Sequence, residues 1–122
     1  MRNLAELAEI APAPIWDGVA ARIVLGERIT MAVVELDPGG VVPEHDHPHE
    51  QLGLVIEGSV TFRVGEETRR LGPGGTWRIP GGAPHEARAG ARGAVVVDIF
   101  TPTRDDWERI DRDAARPPRW PA

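Results

Sequence analysis

The chain contains no cysteine and no lysine. The first absence removes disulfide frameworks and thiolate chemistry, and it suits a reducing compartment such as the cytoplasm. The second removes Schiff-base catalysis, because all fourteen basic residues are arginines. No basic cluster stands out, and the net charge is -5. That balance argues against nucleic acid and anionic membranes as partners. Long apolar runs are missing too, and none approaches the roughly 20 residues of a membrane span. Glu6 and Glu9 interrupt the opening stretch where the apolar core of a secretory signal would lie, so no signal peptide is expected.

Glycine and proline are abundant, with 14 and 12 copies. They fall between short runs of Val, Ile, Leu and Thr, the pattern of an all-β sandwich or barrel. One domain over residues 1–122 is expected, with a barrel core at about 16–102. Strands are expected over 19–25, 29–36, 51–56, 59–64, 68–71, 76–79 and 93–100. Glu57-Gly58 reads as a two-residue hairpin between the third and fourth of these. Asn3 and Glu6 suggest a capped helix over 4–10, and Pro12 and Pro14 then impose extended chain. After the last strand the period changes. Thr103 with Asp105 and Asp106 reads as a helix start, and Trp107, Ile110 and Ala114 share a face. A short C-terminal helix over about 103–115 is therefore expected. A tail at 116–122 follows, loose or packed on a partner subunit.

Three of the four histidines, His45, His47 and His49, lie within five residues, and His85 sits in a second Gly/Pro-framed stretch. In extended chain His45 and His47 share a face, and Gln51 keeps that parity. Imidazole nitrogen is the commonest ligand for Zn, Fe, Ni and Cu, and an amide oxygen is a weaker, neutral one. His45, His47, Gln51 and His85 are therefore the candidate metal ligands. Pro48 breaks the strand before His49, which is expected at the rim of the site.

Two motifs carry a resemblance. Gly39, five residues, His45-x-His47, three residues, Gln51, six residues and Gly58 follow the first motif of the cupin family, with Gln51 in the glutamate position. Gly74, five residues, Pro80-x-Gly82, two residues and His85 follow the second, with Ala89 where that motif often ends in Asn. The resemblance implies a jelly-roll barrel holding one divalent ion: Zn, Ni, Fe, Mn or Cu. A three-His, one-Gln set leaves the ion its full charge, which weakens its retention and strengthens its pull on anionic substrates. About two coordination positions stay open for water or substrate.

The last strand, Ala94 to Phe100, is apolar apart from Asp98. An acid there is expensive unless paired or functional, and Asp98 is the candidate general acid or base. Phe100 shares its face, and Arg104 lies just beyond Thr101-Pro102, able to clamp a carboxylate. The run DIFTPTRDDW is similar to the C-terminal signature of KdgF-like small cupins, which linearise unsaturated uronates from pectin and alginate breakdown. That resemblance implies ring opening of a 4,5-unsaturated uronate, a non-redox isomerase or lyase reaction. It gives catalytic roles to Asp98 and Arg104 and substrate contacts to Phe100 and Arg104. The alternatives are a metal-dependent dioxygenase, separable with an oxygen electrode, and a polyketide cyclase or other biosynthetic isomerase. A homodimer is expected through the face carrying Leu52, Leu54 and Ile56. Trp77, Arg63 and Arg78 are further side chains whose place on the pocket wall decides specificity.

Overall fold

Two long strands hold the molecule together, and both are longer than the sequence pattern suggests. In the computed structural model, which describes residues 2–121, β5 runs over Glu50–Val64 and β8 over His85–Thr101. Met1 and Ala122, the ends of the expected domain and tail, lie outside the described residues. The other strands are β1 (Ala13–Trp16), β2 (Val19–Leu25), β3 (Thr30–Leu36), β4 (Val41–His45), β6 (Glu67–Leu71) and β7 (Thr76–Ile79). All pairings are antiparallel, in the order β1-β2-β3-β8-β5-β6, with β4 also on β8 and β7 also on β5.

Glu57-Gly58 is not a hairpin. It is a bulge inside β5, where register against β8 shifts between Val55 and Glu57 and again between Gly58 and Val60. Gly58 has φ +74, and a Cβ there would run into the carbonyl of Gly93, itself at φ +73 on β8. The glycines therefore bend a continuous pair of strands around the barrel corner instead of reversing the chain.

Alternate residues face inward along each strand. Ala21, Ile23, Val34, Leu36, Val55, Val60, Phe62, Ile79 and Val96 belong to one buried cluster. No helix among the described residues is long and apolar enough to cross a membrane.

Helical structure is less than the sequence suggests. The helix expected over 4–10 is one 3-10 turn, Leu7–Glu9, with no side-chain cap. That expected over 103–115 is one 3-10 turn, Asp105–Trp107. Thr103 does not cap it, because its hydroxyl bonds Gly26 O (3.1 Å) and pairs with the Thr30 hydroxyl (2.8 Å). Beyond Ile110 the chain bonds to the barrel and not along itself. Asp113 N–H donates to Pro12 O (2.7 Å), and Arg112 donates to Ala11 O (3.2 Å). Arg116 donates to Glu35 (2.6 Å), and Arg119 pairs with Asp37. Through Arg116 and Arg119 the tail straps β2 and β3 of its own chain and is not loose there.

Candidate metal centre

His45 ends β4 and His85 opens β8, and the two are direct register partners. His47 follows in the irregular segment after β4, and Gln51 lies on β5 opposite Ile79 and Phe100. Ring nitrogens of His45, His47 and His85 converge to within 4.8 Å of one another. The sequence-predicted set is thus brought together at one end of the barrel.

The protonation pattern fits a cation. The Nδ1–H of His45 is directed at Pro43 O (2.8 Å), that of His47 at His49 O (3.1 Å) and that of His85 at Ala83 O (2.9 Å). Such outer hydrogen bonds fix the tautomer that leaves Nε2 as a lone pair. Burial pushes the His85 imidazole down to about 4. It also lowers that of His47, with the Arg104 charge adding to the effect. Both rings are therefore neutral at neutral pH. His85 Nε2 is buried without a hydrogen-bond partner among the described residues. His47 Nε2 lies 3.1 Å from Gln51 Oε1. With its one proton directed at His49 O, His47 meets Gln51 as one acceptor facing another. A divalent cation between these groups satisfies all of them, so the residues fit the ion the motifs imply.

Gln51 is oriented by Asp98. Its Nε2 donates to Asp98 Oδ1 (2.8 Å), which turns Oε1 toward His47. The indole N–H of Trp77 donates to the same Oδ1, also at 2.8 Å. Trp77 reaches it across Gly53, which pairs with Trp77 on one side and Asp98 on the other. A Cβ on Gly53 would collide with the indole Nε1. Both donors use Oδ1, so among the described residues none donates a hydrogen bond to Oδ2. Burial raises the Asp98 carboxyl to about 6, against the lowering effects of Gln51, Trp77 and Arg104.

These groups line one cavity of about 350 Å³, at the lower end of the range for small-ligand sites. Its inner wall is apolar, with Val19, Ala21, Val34, Leu36, Val60 and Val96. Its mouth carries Trp16, Arg104, Asp106 and Trp107. The Arg104 guanidinium lies 3.9 Å from the Trp107 ring centre and 4.8 Å from that of Phe100. It donates twice to Asp106, from Nε at 3.0 Å and Nη2 at 2.8 Å. His49 is buried beside the ligands but turns away toward Asp105 and Asp106.

Asp98, Phe100 and Arg104 thus line the same cavity as the histidines. Of the unassigned pocket-wall residues, Trp77 lines it and Arg63 and Arg78 do not. Arg63 instead bridges Glu44 and Glu86. Asp106, Trp107 and Trp16 are cavity residues that the sequence reading did not assign to the site. The helical spacing of Trp107 was the one available signal, and it pointed to packing.

Comparison with known proteins agrees with this architecture. The chain is 39% identical over 75 residues to the dimethylsulfoniopropionate lyase DddQ of Ruegeria pomeroyi, a match covering 61% of the chain. It spans only 37% of that protein's length. It is 26% identical over 95 residues to the pectin degradation protein KdgF of Dickeya dadantii, covering 76% of the chain and 86% of the relative. The solved structure of KdgF from Halomonas sp. superposes with a TM-score of 0.80 at 29% identity, over 87% of this chain and 98% of that one. An RmlC-like cupin from Shewanella frigidimarina superposes at 0.82 with 21% identity, over 88% and 96% of the two chains. The cupin domain model matches residues 32–100, more than half of the chain and all four candidate metal ligands. The chain belongs to the cupin family.

Proposed function

We propose that the protein is a non-redox, metal-dependent enzyme that opens the ring of a 4,5-unsaturated uronate. The observation that carries this reading is Asp98: a buried carboxyl with one oxygen held by two N–H donors and the other free, beside the candidate ligands. A divalent cation held by His45, His47, Gln51 and His85 supplies Lewis-acid polarisation of substrate oxygens when bound. Arg104 receives the substrate carboxylate, and Phe100 lines the ring's path. Asp98 Oδ2 accepts the anomeric hydroxyl proton as the ring C–O bond breaks and the aldehyde forms. It returns a proton to the alkene carbon, leaving a ketone where the enol ether stood. The step is an isomerisation and needs no oxidant.

Likeness to two KdgF proteins supports this choice among cupin chemistries. The test is loss of enol-ether ultraviolet absorbance when metal-loaded protein meets 4,5-unsaturated galacturonate. Rapid loss absent from a metal-stripped control is expected. No difference from that control contradicts the reading.

A second reading is elimination from a small carboxylate of the dimethylsulfoniopropionate kind. It is favoured by the DddQ identity and by the inner wall, whose aliphatic side chains offer sugar hydroxyls no hydrogen bond. Turnover of dimethylsulfoniopropionate, with none of the uronate, would select it.

We also propose a homodimer in the cytoplasm. On the outer face, Leu52, Ile99 and Met31 form one cross-strand row, and Leu54, Val97 and Val33 form the next. Leu52 and Leu54 are 49% and 42% exposed, more than isolated surface leucines need explain. Size-exclusion chromatography with light scattering should give twice the chain mass, and Leu52→Glu should halve it.

A further inference from the structure

The side chain best placed to clamp a substrate carboxylate is already occupied. Arg104 lies against the rings of both Phe100 and Trp107, its side chain only 11% exposed. Its Nε and Nη2 both donate to Asp106, one to each carboxylate oxygen. That two-point arrangement is the one an incoming carboxylate would itself adopt. Asp106 is half exposed at the cavity mouth and belongs to the same short turn as Trp107, so it can leave without disturbing the barrel.

A second observation supplies somewhere for Asp106 to go. His49 is 8% exposed, and its Nδ1 has no hydrogen-bond partner among the described residues. One of its ring nitrogens lies within 4.8 Å of a carboxylate oxygen of Asp106 and of Asp105. The imidazole offers an N–H from which a carboxylate brought within reach can accept a hydrogen bond, and a polar group removed from water needs a partner.

We propose that Asp106 is a stand-in for the substrate carboxylate, and that substrate binds by exchange. The incoming carboxylate takes Arg104, and Asp106 moves to His49. This rests on the assignment of Arg104 as the clamp. It makes Asp106 and His49 specificity-determining residues. Asp106 keeps the guanidinium from weak anions and holds it against Trp107, while His49 lowers the cost of displacing it. The exchange favours ligands whose carboxylate can outcompete an intramolecular one, which means ligands that also bind elsewhere in the cavity.

Calorimetry with metal-loaded protein and galacturonate tests this, with KM for 4,5-unsaturated galacturonate alongside. Asp106→Asn should tighten galacturonate and lower KM about tenfold, the scale of one charge-assisted pair at a half-exposed position. His49→Gln should weaken both severalfold with metal content unchanged. The two effects should not add. With Asp106→Asn in place His49→Gln should be silent, a dependence that a merely structural role for His49 would not produce. Arg104→Gln is the control. If Arg104→Gln weakens binding while Asp106→Asn leaves it unchanged or weakens it, the exchange is overturned and the clamp stands. Additive single effects also overturn the exchange. Binding that is insensitive to Arg104→Gln overturns both.

Discussion

Asp98 and Glu35 are both buried carboxylates on neighbouring strands, and they have opposite fates. Glu35 faces outward from β3 and is 2% exposed beneath the C-terminal strap. Its oxygens meet Arg116 at 2.6 Å, the backbone N–H of Arg119 at 3.1 Å and Arg22 at 3.6 Å. Burial raises its carboxyl, but the hydrogen bond and charge of Arg116, the Arg119 N–H and Arg22 outweigh that and hold it below the usual range. Asp98 faces inward and is held by two neutral donors, with the Arg104 charge acting on it from farther off. Burial therefore wins, and the carboxyl rises to about 6. Cationic partners make a carboxylate permanent and structural; neutral donors on one oxygen leave it able to exchange a proton.

Substitution sharpens the contrast. Asp98→Asn should lower turnover by about 10²–10⁴, the range for a positioned acid or base. It should keep its metal, because the carboxamide oxygen introduced there can still accept from Gln51 and Trp77. Loss of metal in that variant, measured by elemental analysis, would reduce Asp98 to an orienter of Gln51. Glu35→Gln should instead cost about 3–5 kcal/mol in denaturant unfolding, because it leaves the buried Arg22 without its counter-charge. The folded fraction should keep full turnover per site.

The same pair predicts a pH signature. The depressed Glu35 carboxyl contributes stability that is present above its unfolded value near 4.5. That stability is lost as pH falls below this value and through the lower folded one. Wild type should therefore lose more stability than Glu35→Gln in acid unfolding series, and equal losses would contradict the structural role. The smallest effect belongs to Trp77→Phe. It keeps the stack on Phe62, whose ring lies 4.5 Å away, and removes one donor from Asp98. About a tenfold fall in kcat with KM unchanged is expected, the scale of one hydrogen bond to a charged group. An unchanged kcat would mean that Gln51 alone suffices to hold Asp98.

The sequence made one of these carboxylates visible and hid the other. Asp98 stands alone in an apolar run, so its burial followed from the pattern, and the family resemblance supplied its place at the site. Glu35 ends a strand just before Asp37-Pro38-Gly39, where an acid looks like ordinary turn chemistry. Its partners lie 81 and 84 residues away on a tail that reads as helix and loose end. The candidate metal ligands could be grouped because motif spacing joins His45, His47, Gln51 and His85. The strand parity expected of His45 and His47 does not hold, since β4 ends at His45 and His47 lies in the irregular segment beyond it. The Trp77–Asp98 bond spans 21 residues and depends on the absence of a side chain at Gly53 between them, which no local pattern signals. Gly58 misled for a related reason. A positive-φ glycine serves a hairpin and a bulge equally, and only the length of β8 beside it decides.

The most direct measurement is a metal titration of the stripped protein, followed by calorimetry and elemental analysis, with His85→Asn and Gln51→Ala beside wild type. One divalent ion per chain is predicted. His85→Asn should lose most of its affinity, and Gln51→Ala should lose less. A wild-type protein that binds no ion, or a His85→Asn variant that binds as tightly as wild type, would contradict the metal centre on which the proposed chemistry depends.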